Sequence, residues 1–593
     1  MWLLGAALAE TFSIYGERHD FCEVVAQAAA NGEADTVEVY DANDEDCGAG
    51  GATVEGDDLT IVGANDAATL PPITAYEATL AISGVSFPQA AYWSAPREAA
   101  EHLGSDSWPV ALAVEGGDLT LTDVTIDAGP YAALAVVDAD AEVRSVTVRD
   151  SSAGPAVYVG SESGTTYVQV FGSTFASNLA GAVLVTGAGT TLEMSEGVRF
   201  STNGGAGWAD LHAIDAGRVW LFGVAFSGSE STSDGNGVDA PVLVESSAFT
   251  CDSCTWDGTL GSAWMLAATG LPVDVIGGSA TPGEGTTAYG VNVSSGAHLK
   301  LTGFEMTFPD GGATGIVATD ADVTIDEGTY GGGGTDTKVL YALDSAVQID
   351  DAWFCGVSNR AGPLFYVSTY DYVASLKLTR VTVQKSAGAA GILAGYSPAT
   401  LYVDDSTFAD NEGAVVSGTW QRYDFHNTLV ARTGGVDLDA APNSGSGWYN
   451  LWFEAEHATP EHLPAVWGET DAAGDPEFAD TYSGDCANPP RLSAGSPAID
   501  AGDPTYYDSD RTRSDIGAWD YVADGDADTD SDTDTDTDTD TDTDTDTDAD
   551  TGAPPPVRAD PELTGLRGGC GCDGGGGAAG LLLLPLAIRR RRG

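Results

Sequence analysis

Short runs in which apolar and polar residues alternate recur along most of the chain, and Leu401–Ser417 (LYVDDSTFADNEGAVVS) shows the pattern most clearly. Leu401 and Val403 alternate with Tyr402, which is the pattern of a strand with one buried face. Two aspartates break this run before Phe408, and an asparagine and a glycine then mark a second turn. Because so short a fragment cannot bury its own apolar face, we expect copies of it to stack on both sides.

About fifteen copies of this phrase follow one another between Leu59 and Val430, mostly at spacings of roughly 23 to 30 residues. Each copy holds two or three short strands joined by Asp, Asn, Gly or Ser turns, without the period of a helix. A leucine-rich repeat would carry a helix and a fixed asparagine, and a propeller blade needs about 40 residues, so both fit poorly. The pattern therefore predicts a β-solenoid in which each copy is one coil, with a length of about 70 Å.

The repeats resemble the right-handed parallel β-helix family, which includes pectate lyases, polygalacturonases and many bacterial surface proteins. The resemblance implies an all-β chain whose parallel β-helix occupies residues 57–447. Each end of such a solenoid exposes an apolar edge and needs a cap. We expect residues 12–56 to form the N-terminal cap, with a helix over Phe21–Ala30 and a strand over Thr36–Tyr40, and residues 448–523 to close the other end.

Two motifs mark the closing segment, Arg491–Pro504 (RLSAGSPAIDAGDP) and Arg513–Tyr521 (RSDIGAWDY). They resemble the terminal segment of secreted β-helix repeat proteins in both order and spacing. The resemblance implies that Ile499, Ile516 and Trp519 pack over the last coil.

The 593-residue chain has a formal charge of −67 and only four lysines. Such acidity excludes nucleic acid as a partner, because phosphate requires a basic face. It fits an extracellular protein that is kept soluble by repulsion and is able to bind divalent cations. Closely spaced carboxylates in the closing segment are candidate Ca²⁺ ligands, and the alternative is that each caps a turn through its own backbone. These candidates are Asp500, Asp503, Asp508, Asp510 and Asp515.

The pairing of the eight cysteines does not follow from the sequence. Cys22 and Cys47 bracket the N-terminal segment and are placed to staple it. Cys251 and Cys254 form a CxxC motif inside a repeat, with no second CxxC nearby. We therefore favour a local disulfide or two structural thiols there over a metal or redox site.

The two ends of the chain resemble export signals. Residues 1–11 resemble the end of a signal peptide, although they lack a basic region. Residues 524–567 are dominated by Asp-Thr repeats followed by prolines, a composition that predicts an extended, disordered stalk. Residues 568–593 resemble a myxobacterial-type C-terminal sorting signal, which implies export, cleavage near Cys570 or Cys572, and lipid anchoring at the cell surface in the outer membrane. The alternatives are a weak tail anchor or a disulfide-bonded tail.

Aligning three successive coils places several charged residues in columns on one corner of the solenoid. One column holds Asp350, Thr379 and Asp404, the next holds Asp351, Arg380 and Asp405, and Lys377 points outward beside them. This arrangement resembles polysaccharide lyases of the same fold, in which carboxylates hold Ca²⁺ against a uronate and a basic residue takes the α-proton. The resemblance makes Arg380, Lys377, Asp351 and Asp405 candidate catalytic residues. The alternative, which we favour, is a column of turns in which Arg380 neutralises the carboxylates above and below it.

Two functions therefore remain open. The first is a non-enzymatic, monomeric adhesion rod that binds an extracellular polysaccharide or another cell surface. Trp93 and Trp108, in a loop inserted between Phe87 and Val110, and Tyr370 and Tyr372 are candidate contacts for it. The second is a Ca²⁺-dependent lyase that acts on uronate polysaccharides.

Overall fold

The computed structural model describes residues 10–521 with interruptions. The interruptions are residues 16–20, 30–33, 41–46, 48–50, 66–67, 89, 95–106, 130–131, 153, 204–207, 229–239, 258–263, 283–288, 371–373, 397, 434–435, 439–444, 456–467 and 480. Residues 1–9, Tyr372, the predicted stalk over 524–567 and the predicted sorting signal over 568–593, with Cys570 and Cys572, lie outside the described residues.

Each turn of the chain contributes one strand to each of three parallel sheets, which we call sheets 1, 2 and 3 in the order in which the chain visits them. Successive turns pair residue for residue, so that Leu376 lies beside Leu401, and Leu401 beside Tyr423. Sheet 3 contains 16 strands. The molecule is therefore an almost all-β parallel solenoid of about fifteen turns, which confirms the predicted fold class.

The strands of each sheet are short and follow the repeat spacing. Sheet 1 contains Ala52–Glu55, Ala132–Val137, Val157–Gly160, Val183–Thr186, Leu211–Ile214, Val242–Glu245, Leu266–Thr269, Tyr289–Ser294, Thr314–Thr319, Lys338–Leu343, Phe365–Ser368, Leu393–Tyr396, Val416–Gly418 and Val436–Leu438. Sheet 2 contains Thr11–Ile14, Asp35–Val39, Asp58–Gly63, Asp140–Arg144, Thr166–Phe171, Thr190–Ser195, Arg218–Phe222, Ala248–Asp252, Pro272–Ile276, His298–Thr302, Asp322–Asp326, Ala346–Asp350, Ser375–Thr379, Thr400–Asp404, Arg422–His426 and Gly445–Trp448.

Two long strands, Ile73–Ser83 and Ser107–Thr122, pass through both sheet 1 and sheet 2. Sheet 3 contains Ser86–Phe87, Thr125–Asp127, Thr147–Arg149, Thr174–Ala176, Arg199–Ser201, Ala225–Ser227, Thr255–Asp257, Ser279–Thr281, Glu305–Phe308, Thr329–Gly332, Trp353–Cys355, Thr382–Gln384, Thr407–Ala409, Leu429–Thr433, Leu451–Ala455 and Ala472–Ala473. Ser358–Asn359 and Ala387–Gly388 form a separate pair, and Ala91–Ser94 adds antiparallel to the second long strand.

The first residue of each corner between sheets 2 and 3 has a positive φ, and these residues align in one column. In two corners the glycine that follows, Gly197 or Gly278, also has a positive φ. Glycine, aspartate, asparagine and serine dominate this column because they adopt the left-handed conformation at low cost. The spacing of polar turn residues in the sequence reflects this requirement. The column comprises Asp123, Ser145, Gly172, Glu196, Gly223, Ser253, Gly277, Gly303, Glu327, Asp351, Arg380, Asp405, Asn427 and Tyr449.

The interior is filled by columns of like side chains, one from each turn. On sheet 3 the rings of Phe175, Phe200, Phe226 and Trp256 stack at successive centroid distances of 4.9, 4.8 and 5.7 Å. Polar columns are also satisfied along the axis, since the side-chain amide of Asn178 donates to Asn203 Oδ1 at 2.9 Å. Because each residue meets its equivalent in the next turn, a favourable contact repeats wherever the residue type repeats.

The N-terminal helix covers the first turns. It begins at Phe21 and ends at Ala29, within one residue of the predicted helix. Phe21, Val25 and Ala28 lie on one helical face and are almost completely buried in the main core.

Among the described residues, no helix is long and apolar enough to span a membrane.

The inserted segment after Phe87 is partly a strand pair and not only a loop. Trp93 pairs with Trp108 across antiparallel strands, and the two indoles are only 2% and 7% exposed. They pack with Ala113, Ala135 and neighbouring residues on the outer face of sheet 1. The expectation that Trp93 and Trp108 are exposed contact residues was therefore wrong, because the outer face of these turns is itself apolar.

The closing segment forms a strap (residues 475–521) along the outer face of sheet 3. Ile516 is buried against Leu429 and Leu451, whose side chains point away from the solenoid interior. The Trp519 indole donates to Thr382 Oγ1 at 2.8 Å, so the strap extends back over several turns. The sequence predicted that this segment packs over the last coil. Its described contacts instead lie along the side of the last turns.

Three disulfides are present among the described residues. Cys22 pairs with Cys47 and Cys251 with Cys254, as the sequence suggested. The third, Cys355–Cys486, joins the solenoid to the strap across 131 residues, with a Cα–Cα distance of 5.6 Å.

We predict that replacing both Cys355 and Cys486 by Ser loosens the strap. Opening the largest disulfide loop increases the chain entropy of the unfolded state most. We therefore expect the free energy of unfolding to fall by about 2–5 kcal/mol. The replacement of Cys251 and Cys254 by Ala is the control, because these two cysteines are only 3 positions apart in the sequence and close a very short loop. Hydrogen exchange of residues 475–521 should accelerate in the first variant alone, and equal protection in both would contradict the prediction.

Candidate functional site

The column predicted around Arg380 exists. Asp350, Thr379 and Asp404 are paired in register in sheet 2. Asp351 and Arg380 follow them as left-handed corner residues, at φ of 52° and 51°. The charged residues that the sequence aligned are therefore brought together at one corner.

Within this corner Arg380 is engaged by a neighbouring carboxylate. Its guanidinium donates two hydrogen bonds to Asp351, with Nε 2.5 Å from Oδ1. These bonds, more than any other influence, raise the pKa of Arg380 above its ordinary value. A guanidinium that is held in its charged form is a poor proton acceptor. The predicted partner Lys377 is exposed on the outer face of sheet 2, between Gln348 and Tyr402 of the neighbouring turns.

Asp405, the other candidate at this corner, lies in a less polar setting. Burial, followed by repulsion from Asp404, raises its pKa to about 6. The Asn427 amide donates to Asp405 Oδ1 at 2.9 Å and opposes this rise. The three aligned corner residues thus form an ion pair and a separate, amide-bonded carboxylate.

We predict that Arg380→Gly is more stable than Arg380→Ala by about 1 kcal/mol, because alanine retains the left-handed backbone strain and glycine does not. Loss of the exposed ion pair is common to both variants and should contribute less than about 1 kcal/mol. Chemical denaturation of the two variants and the wild type measures the difference. Equal stabilities would show that corner strain does not govern this position.

The five aspartates proposed as Ca²⁺ ligands are divided by the fold. Carboxylate oxygens of Asp500, Asp508 and Asp515 lie within 4.8 Å of one another. Asp503 instead contacts His426 and accepts from the Thr505 amide at 2.8 Å. Asp510 accepts from the Thr512 amide at 2.7 Å, so it caps a turn.

The electrostatics of the three-carboxylate group reflect burial and mutual repulsion. Burial, with the neighbouring aspartates, raises the pKa of Asp508 to about 7. Asp515 is 3% exposed and accepts backbone hydrogen bonds from Asp500 and Tyr521, at 2.8 and 2.5 Å. Oxygen ligands of this kind suit Ca²⁺, which takes six to eight of them. The same contacts are also those of turn-capping aspartates, the alternative that the sequence left open.

His426 connects the solenoid to the strap, and the sequence analysis did not identify it. Its Nδ1 lies 2.7 Å from Asp404 of the preceding turn, and its Nε2 lies 3.0 Å from Asp503 of the strap. A neutral imidazole has only one N–H, so both bonds are made only by the imidazolium. Burial opposes this charge, but the two carboxylates outweigh it and raise the pKa of His426 above its ordinary value.

We predict that strap stability falls as pH rises through the pKa of His426. Because the folded-state pKa is raised, the stabilisation is fully present below the unfolded value of about 6.5 and is lost above the folded value. Thermal unfolding between pH 6 and 9 should show this loss, and His426→Gln should reduce it. His298→Gln is the control, since that side chain is 61% exposed and contacts Asp322, which does not belong to the strap. Identical pH profiles in all three proteins would contradict the prediction.

A second exposed feature lies on the outer face of sheet 1. The rings of Tyr341 and Tyr366, in adjacent turns, stack at a centroid distance of 4.9 Å and an angle of 2°. The ring of Tyr396, in the next turn, lies 5.3 Å from that of Tyr366 at an angle of 37°, and Tyr396 is 48% exposed. We call these three residues the tyrosine ladder. Tyr370, a contact predicted from the sequence, is 79% exposed, and its phenol is close enough to Tyr341 to contribute to raising that residue's pKa.

Tyr341 and Tyr366 of the tyrosine ladder line one end of an open cleft with a volume of about 680 Å³. Thr314 and Val317 belong to its floor, and Trp264 lines it from the turn that contains Leu266–Thr269. That turn is three turns from Lys338, a distance of about 14 Å along the axis at the usual strand spacing. The Lys338 ammonium lies 4.8 Å from the centre of the Tyr341 ring.

The chain matches no protein-family model and no curated protein sequence. The function must therefore be argued from the geometry of the chain itself. The sequence did contain a signal for the cleft, because Val317, Tyr341 and Tyr366 recur at the repeat spacing and share one outer column. The sequence analysis did not use this signal, because an outward aromatic column and an inward one have the same spacing.

Proposed function

We propose that this protein is a non-enzymatic rod of the cell surface that binds a glycan in the cleft beside the tyrosine ladder. The observation that carries the proposal is the exposed aromatic cleft on the outer face of sheet 1. Tyrosine and tryptophan combine apolar rings with hydrogen-bonding groups, which suits the mixed apolar and hydroxylated surface of sugars. The cleft is open, so it fits part of an extended chain.

The length of the cleft also supports an extended ligand. Its lining residues come from the turn of Trp264, the turn of Thr314 and Val317, and the next two turns, and each turn adds one step of about 4.8 Å along the solenoid. A glycan strand that lies along the axis would meet Trp264 at one end and Tyr366 at the other. Binding of this kind needs rigid placement of several weak contacts, which a stacked solenoid provides.

Composition supports placing this rod outside the cell. Disulfides persist in oxidising compartments, and the high negative charge suits a solvent-exposed surface. With the signal resemblances at both ends of the sequence, these features support export and anchoring near Cys570 or Cys572 in the outer membrane. A polysaccharide or another cell surface would then be the partner of a monomeric rod.

The test is a glycan array probed with the full chain. We expect the chain to bind a set of glycans. Tyr366→Ala should weaken their binding about tenfold, because an aromatic contact is lost. Tyr402→Ala is the matched control, because it removes an aromatic ring from the outer face of sheet 2. No bound glycan, or equal binding by Tyr366→Ala, would refute the proposed function.

The same preparation also tests the lyase alternative. The engagement of Arg380 by Asp351 argues against this residue as a catalytic base, so we expect no unsaturated product from uronate polymers, with or without Ca²⁺. Ultraviolet absorbance measures that product. Product formed by the wild type and absent with Arg380→Ala would replace the binding function by an enzymatic one.

A further inference from the structure

Lys338 is distinguished from the other charged residues by its surroundings. It is half-buried at the end of the cleft, and burial lowers its pKa below the ordinary value of lysine. Within the described part of the chain no carboxylate lies within ion-pair distance of it. By contrast, Arg149, Arg380, Arg422 and Arg432 each contact an aspartate.

A lysine in this position carries a cost that no carboxylate in the described part of the chain offsets through an ion pair. Removing an ammonium from water is unfavourable unless a counter-charge or several hydrogen bonds replace the water. The Tyr341 ring offers only a cation–π contact at 4.8 Å. Asp336 lines the same cleft but does not pair with Lys338. The ammonium is therefore positioned to accept an anionic partner from outside the chain.

The position of Lys338 in the register directs it toward the proposed ligand. Lys338 lies beside Thr314 in sheet 1, and Tyr341 lies beside Val317, so both residues border the floor of the same cleft. A sugar resting on Val317 would meet the Tyr341 ring and the Lys338 ammonium together. Aromatic contact and charge are then recognised on a single sugar unit.

We infer that the cleft prefers a glycan whose sugars carry an anionic group, and that Lys338 is the residue that determines this preference. This inference rests on the proposed glycan-binding function and adds the charge class of the ligand. Carboxylate and sulfate groups share the chemistry that an ammonium recognises, and the test separates them.

The net charge of the chain makes the role of Lys338 more specific. A charge of −67 repels anionic polymers at long range, although salt screens this repulsion beyond about 8 Å under physiological conditions. A local cation therefore favours the binding of an anionic sugar at the cleft. Without Lys338, the cleft should lose more affinity for charged sugars than for neutral ones.

The experiment compares Lys338→Met with the wild type on an array holding neutral, carboxylated and sulfated glycans. Methionine keeps most of the apolar stem and removes the charge. We expect binding of anionic glycans to fall by about tenfold to a hundredfold, as is typical for loss of a charge-assisted hydrogen bond. Binding of neutral glycans should fall by less, because they lose no charge-assisted hydrogen bond, and Lys338→Arg should retain the preference. Lys300→Met is the control, since this exposed lysine lies on the outer face of sheet 2.

The possible outcomes separate this inference from the proposed function. Loss of carboxylated ligands alone, or of sulfated ligands alone, supports the inference and identifies the anion. If the wild type binds only neutral glycans, or if Lys338→Met binds anionic glycans as the wild type does, the inference fails while glycan binding stands. If the wild type binds no glycan, the proposed function fails and the inference fails with it. Circular dichroism of each variant establishes that its fold is retained.

Discussion

Register between successive turns is the constraint on which the rest of the structure depends. Every strand of the three sheets pairs in parallel with its equivalent one turn away, so each side chain has a fixed neighbour above and below. This register persists because each corner between sheets 2 and 3 begins with a left-handed residue, which turns the chain in the same direction in every turn. An error at one corner would move a whole strand onto the opposite face, because side chains alternate with a period of two.

The same constraint explains why functional features occur in columns. Inside, it produces stacked phenylalanines; outside, it produces the tyrosine ladder and the charged column at Arg380. A column can equally well be structural or functional, and the difference lies in what its members contact. The Arg380 guanidinium is satisfied by Asp351 within the chain, whereas the Lys338 ammonium faces an open cleft. Because the Arg380 charge is paired within the chain and the Lys338 charge faces the cleft, we place the binding site at sheet 1.

The strap shows how an acidic chain holds its final turns in place. Apolar contacts of Ile516, the Cys355–Cys486 disulfide and the His426 bridge act at separate points along it. Of these three contacts, the His426 bridge depends on pH, because both of its hydrogen bonds require a protonated imidazole. The strap also explains why Leu429 and Leu451 are apolar at positions that face away from the solenoid interior.

The sequence by itself determined the class of fold, the approximate number of turns, the alignment of Asp351, Arg380 and Asp405, and the N-terminal helix. These follow from periodicity and turn chemistry, which are local properties of the chain. Only the tertiary structure decided that Trp93 and Trp108 are buried, that Asp503 pairs with His426 across 77 residues, and that the ring of Tyr341 borders a cleft. Those features depend on what covers an outer face or meets a corner, and a period of two reports alternation without saying which face is covered.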